Sequence, residues 1–340
     1  MSSSSSWSSS SSFSSSSSSS SFSSSSNYFL DQLKNNGYAV IPNVLSNEEC
    51  KLANDGLWNW LSDFSEGKIK SDDNTTWEKN WPYTMGKKGI IQQYKIGHSQ
   101  FVWDIRQNPK VVKVFEQLWN DDNLLCSFDG INIQIPPEVT NKYADPYGIE
   151  WHHMDQSTLR PEFECVQGFV DINGTNFEDG CLVVRNKSHL YFSEYAKHFG
   201  VQEKSDWVKL SMDHNSWFDS KGCTSVRVTS PPGSLVLWDS RTVHANSTAL
   251  KSRNKPDRFR FVVYVCMTPK KLITKAALKK KQLYFEEGRM TSHWPHKIKV
   301  FPKIPQLFGQ INFYKHGFEW ADKNFIRPNL TDLGMKLAGF

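Results

Sequence analysis

From Ile131 to Met267 the chain is cut into short apolar runs by turn-forming residues, and this limits its fold more than any other feature. The runs are Ile131–Ile135, Cys165–Ile172, Cys181–Val184, Ser225–Thr229, Ser234–Trp238 and Phe259–Met267. Between them stand Pro136-Pro137, Asn173-Gly174, Asp179-Gly180 and Pro231-Pro232-Gly233. Runs of this length bounded by turn residues read as strands rather than helices. Many short strands in succession are expected to close into a sandwich or barrel.

The part before them has a different texture. Residues 2–26 are almost pure Ser, broken by Trp7, Phe13 and Phe22. Such a segment buries too little apolar surface to offset its ordering entropy, so residues 1–27 are expected to form a disordered tail. Asn27 to Asn36 reads as a helix stopped by Gly37, and Tyr38–Ile41 as a strand closed by Pro42. Ser46 with Glu49 forms a capping box for the next helix. Asn108 to Trp119 is a further helix, with Pro109 in its first turn and Val111, Val112, Val114, Phe115 and Leu118 inward. Helices leading into a β jelly roll predict an α+β fold. From about Pro269 the chain turns basic and partly helical, and the run Lys279–Lys281 reads as a solvated face.

Composition narrows the function classes. A net charge of +5 in 340 residues is too mild to imply nucleic acid. None of the 6 cysteines forms a C-x-x-C pair, so structural zinc and thioredoxin-like chemistry are disfavoured and reduced, buried thiols are expected. There is no run long and apolar enough to span a membrane and no basic-plus-apolar leader. A cytoplasmic location is the resulting expectation.

The chemistry is carried by two short segments. In Trp151-His152-His153-Met154-Asp155, His153 and Asp155 share one face of a strand. His152 points to the other face, which suits a supporting or surface role. The second segment is Thr242-Val243-His244-Ala245-Asn246, just after the run Ser234–Trp238. Two imidazoles and a carboxylate occupy one face of an iron ion and leave positions for a bidentate cosubstrate and O2. His153, Asp155 and His244 are therefore the candidate metal ligands. Arg258 opens the following strand, where a guanidinium grips a distant carboxylate with two parallel hydrogen bonds. Arg260 points the same way and is its rival. Arg253 falls in a Lys/Asn-rich loop and reads as solvated. Gly97-His98-Ser99-Gln100 and the stretch Arg289 to His296 also combine His with polar neighbours. They lack metal-ligand spacing, so they read as structural or as pocket and lid segments. His198 and His214 read as ordinary surface histidines.

The sequence resembles the phytanoyl-CoA dioxygenase (PhyH) family over roughly residues 35 to 300. The resemblance lies in Gly37-Tyr38-Ala39-Val40-Ile41-Pro42, His153-Met154-Asp155, Asp179-Gly180-Cys181-Leu182-Val183-Val184 through Ser188-His189, Pro232-Gly233-Ser234, His244 and Arg258. Asn186-Lys187 stands where the family has Pro-Gly, a change in a turn and not in a ligand. The resemblance implies a double-stranded β-helix (jelly-roll, cupin-like) core flanked by helices, covering residues 28–315, with 316–340 as a C-terminal extension. It implies Fe(II), the cosubstrate 2-oxoglutarate and O2, with Arg258 on the cosubstrate. Gln92, Ile131, Phe169 and Asn246 are the weaker candidates for the cosubstrate pocket.

The expected activity is a dioxygenase that hydroxylates a small molecule and releases succinate and CO2. The competing reading is a catalytically silent binding or structural protein on the same fold. The intact triad and matched Arg argue against it. Halogenation is disfavoured because halogenases give up the carboxylate that Asp155 supplies.

Overall fold

Ser46 and Glu49 start the longest helix among the described residues by satisfying each other's backbone donors: Ser46 Oγ accepts from Glu49 N at 3.2 Å, and the Glu49 carboxylate accepts from Ser46 N at 2.6 Å. The computed structural model describes residues 28–82, 89–141, 143, 147–251, 253–302 and 311–340, with backbone alone at 311–316. The Ser-rich tail lies outside the described residues. The capped helix, Asn47–Phe64, buries Cys50, Ala53, Leu57 and Leu61, while Leu52 faces solvent. The helix Pro109–Trp119 starts at the Asn108 cap and buries Val111, Val112, Val114 and Phe115.

The strands in chain order are β1 (Tyr38–Ile41), β2 (Ile90–Ile91), β3 (Leu124–Cys126), β4 (Ile131–Gln134), β5 (His153–Met154), β6 (Val166–Asp171) and β7 (Leu182–Arg185). They continue as β8 (Val208–Lys209), β9 (Ser225–Arg227), β10 (Ser234–Asp239), β11 (His244–Asn246), β12 (Arg260–Tyr264) and β13 (Met267–Pro269). They form a 6-stranded sheet of order β1-β10-β6-β12-β4-β2 and a 5-stranded sheet of order β8-β5-β11-β7-β9, with β13 and β3 as a separate pair. All pairings are antiparallel. The run Phe259–Met267 divides into β12 and part of β13, because Val265 leaves the first ladder and Met267 joins β3.

Strand alternation sorts the large sheet into two faces. Ile131, Ile133, Val166, Val170, Leu235 and Leu237 pack in one core with Leu57, Leu61, Trp103 and Phe115 of the helices. Phe169, Val236, Trp238 and Val262 pack in another with Leu182 and Val184 of the smaller sheet. This is the two-sheet jelly-roll arrangement with helices outside the larger sheet. The C-terminal helices complete that outer layer: Trp320 sets its ring 5.3 Å from Phe64, and Leu337 and Ala338 are buried beside Phe285 in the same core.

Three expectations about polar residues are corrected by burial. Lys281 leaves the solvated run Lys279–Lys281: it is buried, donates to the Cys126 carbonyl and sits 3.8 Å from the Phe128 ring centre. Arg253 is buried between Glu138 and Asp179, each at 2.9 Å. His214 is no bare surface residue; it caps the helix Met212–Ser220 and bonds the Tyr195 hydroxyl at 2.9 Å. The six cysteines are all buried and unbridged. No helix among the described residues is long and apolar enough to cross a membrane.

Candidate active site

His153 opens β5 and His244 opens β11, and these two residues are direct cross-strand partners. Their imidazole centres stand 4.3 Å apart. Asp155 lies one residue past β5, where its backbone N–H bonds the Ser240 carbonyl at 2.9 Å. That turn brings one carboxylate oxygen to 3.3 Å from His244 Nε2 and the other to 3.7 Å from His153 Nε2. Among the described residues, the three form a cluster whose ligand atoms all lie within 4.8 Å of one another.

The second atom of each group is already engaged. His153 Nδ1–H donates to the Trp151 carbonyl at 2.7 Å, and His244 Nδ1–H donates to the Thr242 carbonyl at 2.9 Å. These bonds fix the tautomer that leaves Nε2 as a lone-pair donor, the arrangement metal-binding histidines need. Gln167 Nε2 donates to Asp155 at 3.0 Å and orients the carboxylate. Burial pushes the His153 imidazole down to about 4, so it is neutral at neutral pH. Burial alone raises the Asp155 carboxyl, yet the neighbouring His153 and His244 hold it well below the usual carboxylate range. Two imidazoles and one carboxylate on one side suit a six-coordinate iron ion with its remaining positions open.

The cluster opens into a cavity of about 570 Å3 between the two sheets. Of the cosubstrate candidates, Gln92, Phe169 and Asn246 line it. Gln92 Nε2 donates to Asp129 at 3.2 Å, and Asn246 Nδ2 reaches the Tyr264 hydroxyl at 3.5 Å. Ile131 is not on its wall. The strand alternation turns Ile131 to the helix side and gives the inner face of β4 to Asn132, which is fully buried.

Arg258 is also placed elsewhere. Its guanidinium is 3.0 Å from Asp179, and it borders a separate small pocket near Pro136 and Pro137. Its position before β12 lets it swing toward Asp179, which Arg253 already pairs. Arg260 lines the same small pocket but has different neighbours. It is the first residue of β12, on the same face as Val262 and Tyr264, and is 6% exposed. Its guanidinium lies 5.3 Å from the Phe169 ring centre, and its Nε and Nη1 have no hydrogen-bond partner among the described residues. A buried cation with free donors is costly unless an anion completes it.

Several wall residues carry weak signals in sequence. Gln167 and Trp151 were readable by parity, two residues before Phe169 and His153. Asp129 was not, since nothing around it marks a site; it is buried, and burial raises its carboxyl. Trp207 reaches the cavity only because β8 pairs with β5. His152 is buried and bonds Asn215 at 2.6 Å, outside the cluster. The two polar His stretches meet: His98 Nε2–H donates to the Arg289 carbonyl at 2.9 Å, and Ser292 and His293 further along line the cavity.

Comparison with known proteins agrees with this picture. The profile of the phytanoyl-CoA dioxygenase (PhyH) family matches residues 33–254. The chain is 32% identical over 278 residues to Ava biosynthesis cluster protein O of Aspergillus versicolor, covering 78% of this chain and 85% of that protein. Its fold is similar to that of a provisionally described oxidoreductase from Salmonella typhimurium LT2, with a TM-score of 0.54 at 12% identity over 85% of this chain and 81% of the other. A His-Asp-His face of this kind fits iron, with 2-oxoglutarate as cosubstrate, and dioxygenase-type oxidoreductase function goes with it: the chain belongs to the phytanoyl-CoA dioxygenase (PhyH) family.

Proposed function

We propose that the protein is an Fe(II)- and 2-oxoglutarate-dependent dioxygenase that hydroxylates a small molecule. The observation that carries the reading is the buried cluster of His153, Asp155 and His244, with both Nδ1 atoms spent on backbone carbonyls and both Nε2 atoms turned to Asp155. These three residues would hold the metal. Arg260, which stands against the cavity residue Phe169 and on the same face of β12 as Tyr264, would receive the far carboxylate of the cosubstrate. When bound, the iron, the cosubstrate and O2 would supply the oxidising chemistry, in which one oxygen atom of O2 goes to 2-oxoglutarate as it becomes succinate and CO2 and the other goes to the substrate as a hydroxyl.

The protein's own part is to orient and to shield. Gln167 holds the Asp155 carboxylate in place. Phe169 and Trp238 wall the inner cavity with apolar surface, which strengthens the Arg260–carboxylate attraction by excluding water.

The deciding experiment is an anaerobic titration of the protein with Fe(II) and 2-oxoglutarate, followed by the visible metal-to-ligand charge-transfer band. Wild type is expected to show the band, and His244→Ala and Asp155→Ala to lose it. A folded wild-type protein without the band rules the reading out.

A further inference from the structure

Two indole rings flank the candidate metal ligand His153. Trp151 sits 4.8 Å from the His153 ring and Trp207 sits 6.1 Å from it, and both line the cavity. Trp151 is placed by the short turn that leads into β5. Trp207 arrives from the other direction, since the next residue, Val208, starts the strand that pairs with β5.

Trp207 is 45% exposed. A single exposed aromatic residue is unremarkable on a surface. Here it stands on the wall of a cavity, on a loop tied down at several points. Asp206 accepts from Ser157 N at 3.0 Å and pairs with Arg160. Glu203 N donates to Thr158 Oγ1 at 2.9 Å, and Ser157 Oγ donates to the Glu203 carbonyl at 2.7 Å. The loop therefore holds a large wet apolar face in position before any ligand arrives, which lowers the ordering cost of binding. Trp294 and Phe301 add aromatic surface to the same cavity. Its volume lies in the range of pockets that hold drug-sized molecules.

We propose that the substrate carries a flat, conjugated ring system that stacks on Trp207, and that Trp207 with Trp151 sets specificity by presenting that ring beside the metal site at His153. The inference rests on the cavity being the substrate pocket of the activity proposed above. Stacking of planar rings offers attraction beyond area burial, and a saturated ring of equal size does not share it. The preference for flatness is thus the signature of this site.

The test uses a matched pair of probes, naphthalen-2-ol and decahydronaphthalen-2-ol, on full-length protein. Binding is followed by ligand-observed NMR on metal-free protein. Naphthalen-2-ol is expected to bind about tenfold more tightly than its saturated partner. Trp207→Ala is expected to erase that preference and Trp207→Phe to keep most of it. Because Trp207 is half exposed, neither change removes a core residue. Equal binding of the two probes, no binding of either, or a preference that survives Trp207→Ala overturns the proposal. The charge-transfer band of wild type is measured on the same sample. A band without ring preference sinks this inference alone. A ring preference without the band sinks the cofactor reading and leaves the ring site standing.

Discussion

Arg258 and Arg260 lie two residues apart on one face, and their partners differ. Both line one small pocket, where Arg258 ends on Asp179 while Arg260 is buried against Phe169 with two nitrogens unpaired. Charge-assisted hydrogen bonds to a carboxylate are among the strongest available to a side chain. Arg260→Ala is therefore expected to raise the 2-oxoglutarate needed for half-saturation by about tenfold or more, measured by the charge-transfer titration. Arg258→Ala is expected to leave it within about twofold. The reverse ranking returns the role to Arg258. Residue spacing narrowed this choice to two and left it there, because the decision depends on Asp179, a residue far away in sequence that reaches one guanidinium and not the other.

At the scale of elements, local rules account for most boundaries and long-range packing for the exceptions. The Ser46–Glu49 box is a local device, and Ser46→Ala is expected to cost about 1 kcal/mol in a urea-unfolding experiment. Lys281 shows the opposite case. Its helix, Lys275–Glu286, packs onto β3, and the lysine enters the core at the Cys126 carbonyl. Burial holds its ammonium down to about 7, against an ordinary value of 10.5. A folded-state value below the unfolded one means that the unfolded chain takes up the proton first as pH falls. The Lys281 contribution is thus fullest above about 10.5 and is lost as pH falls toward 7. Lys281→Met is expected to make stability flatter between those limits, as read from unfolding midpoints at pH 7 and pH 10. Equal pH slopes in the two proteins would contradict the assignment. Charge patterning placed Lys279–Lys281 together on a wet face. A helix packed on a sheet cannot treat three consecutive residues alike, since successive side chains point about 100° apart.

For the whole molecule, several imidazoles are buried in the neutral form. Burial pushes His98 down to about 3 and His153 and His296 down to about 4. Each binds a proton in the unfolded chain near 6.5 and resists it in the folded one. Stability should therefore decline as pH falls from about 6.5 and keep declining to about 3 to 4. Urea midpoints across that range test it, and His98→Phe should give a shallower slope. A stability that is level from pH 7 to pH 4 would overturn the account. The jelly roll itself was legible because its strands are short, apolar and bounded by Pro and Gly, and because a ligand pair on one strand face needs only alternation. Ile131 fell on the wrong wall for the same reason in reverse: an apolar residue in a strand buried on both faces does not declare which face it uses. What the sequence by itself determined was therefore the set of local choices, namely strand lengths, turns, caps and the His-x-Asp spacing. The tertiary structure alone decided which residues meet across distance: His153 beside His244, Arg253 and Arg258 on Asp179, Arg260 against Phe169, and Trp207 at the cavity. Those outcomes follow from register and burial, which depend on the whole set of strand pairings and are encoded in no single segment.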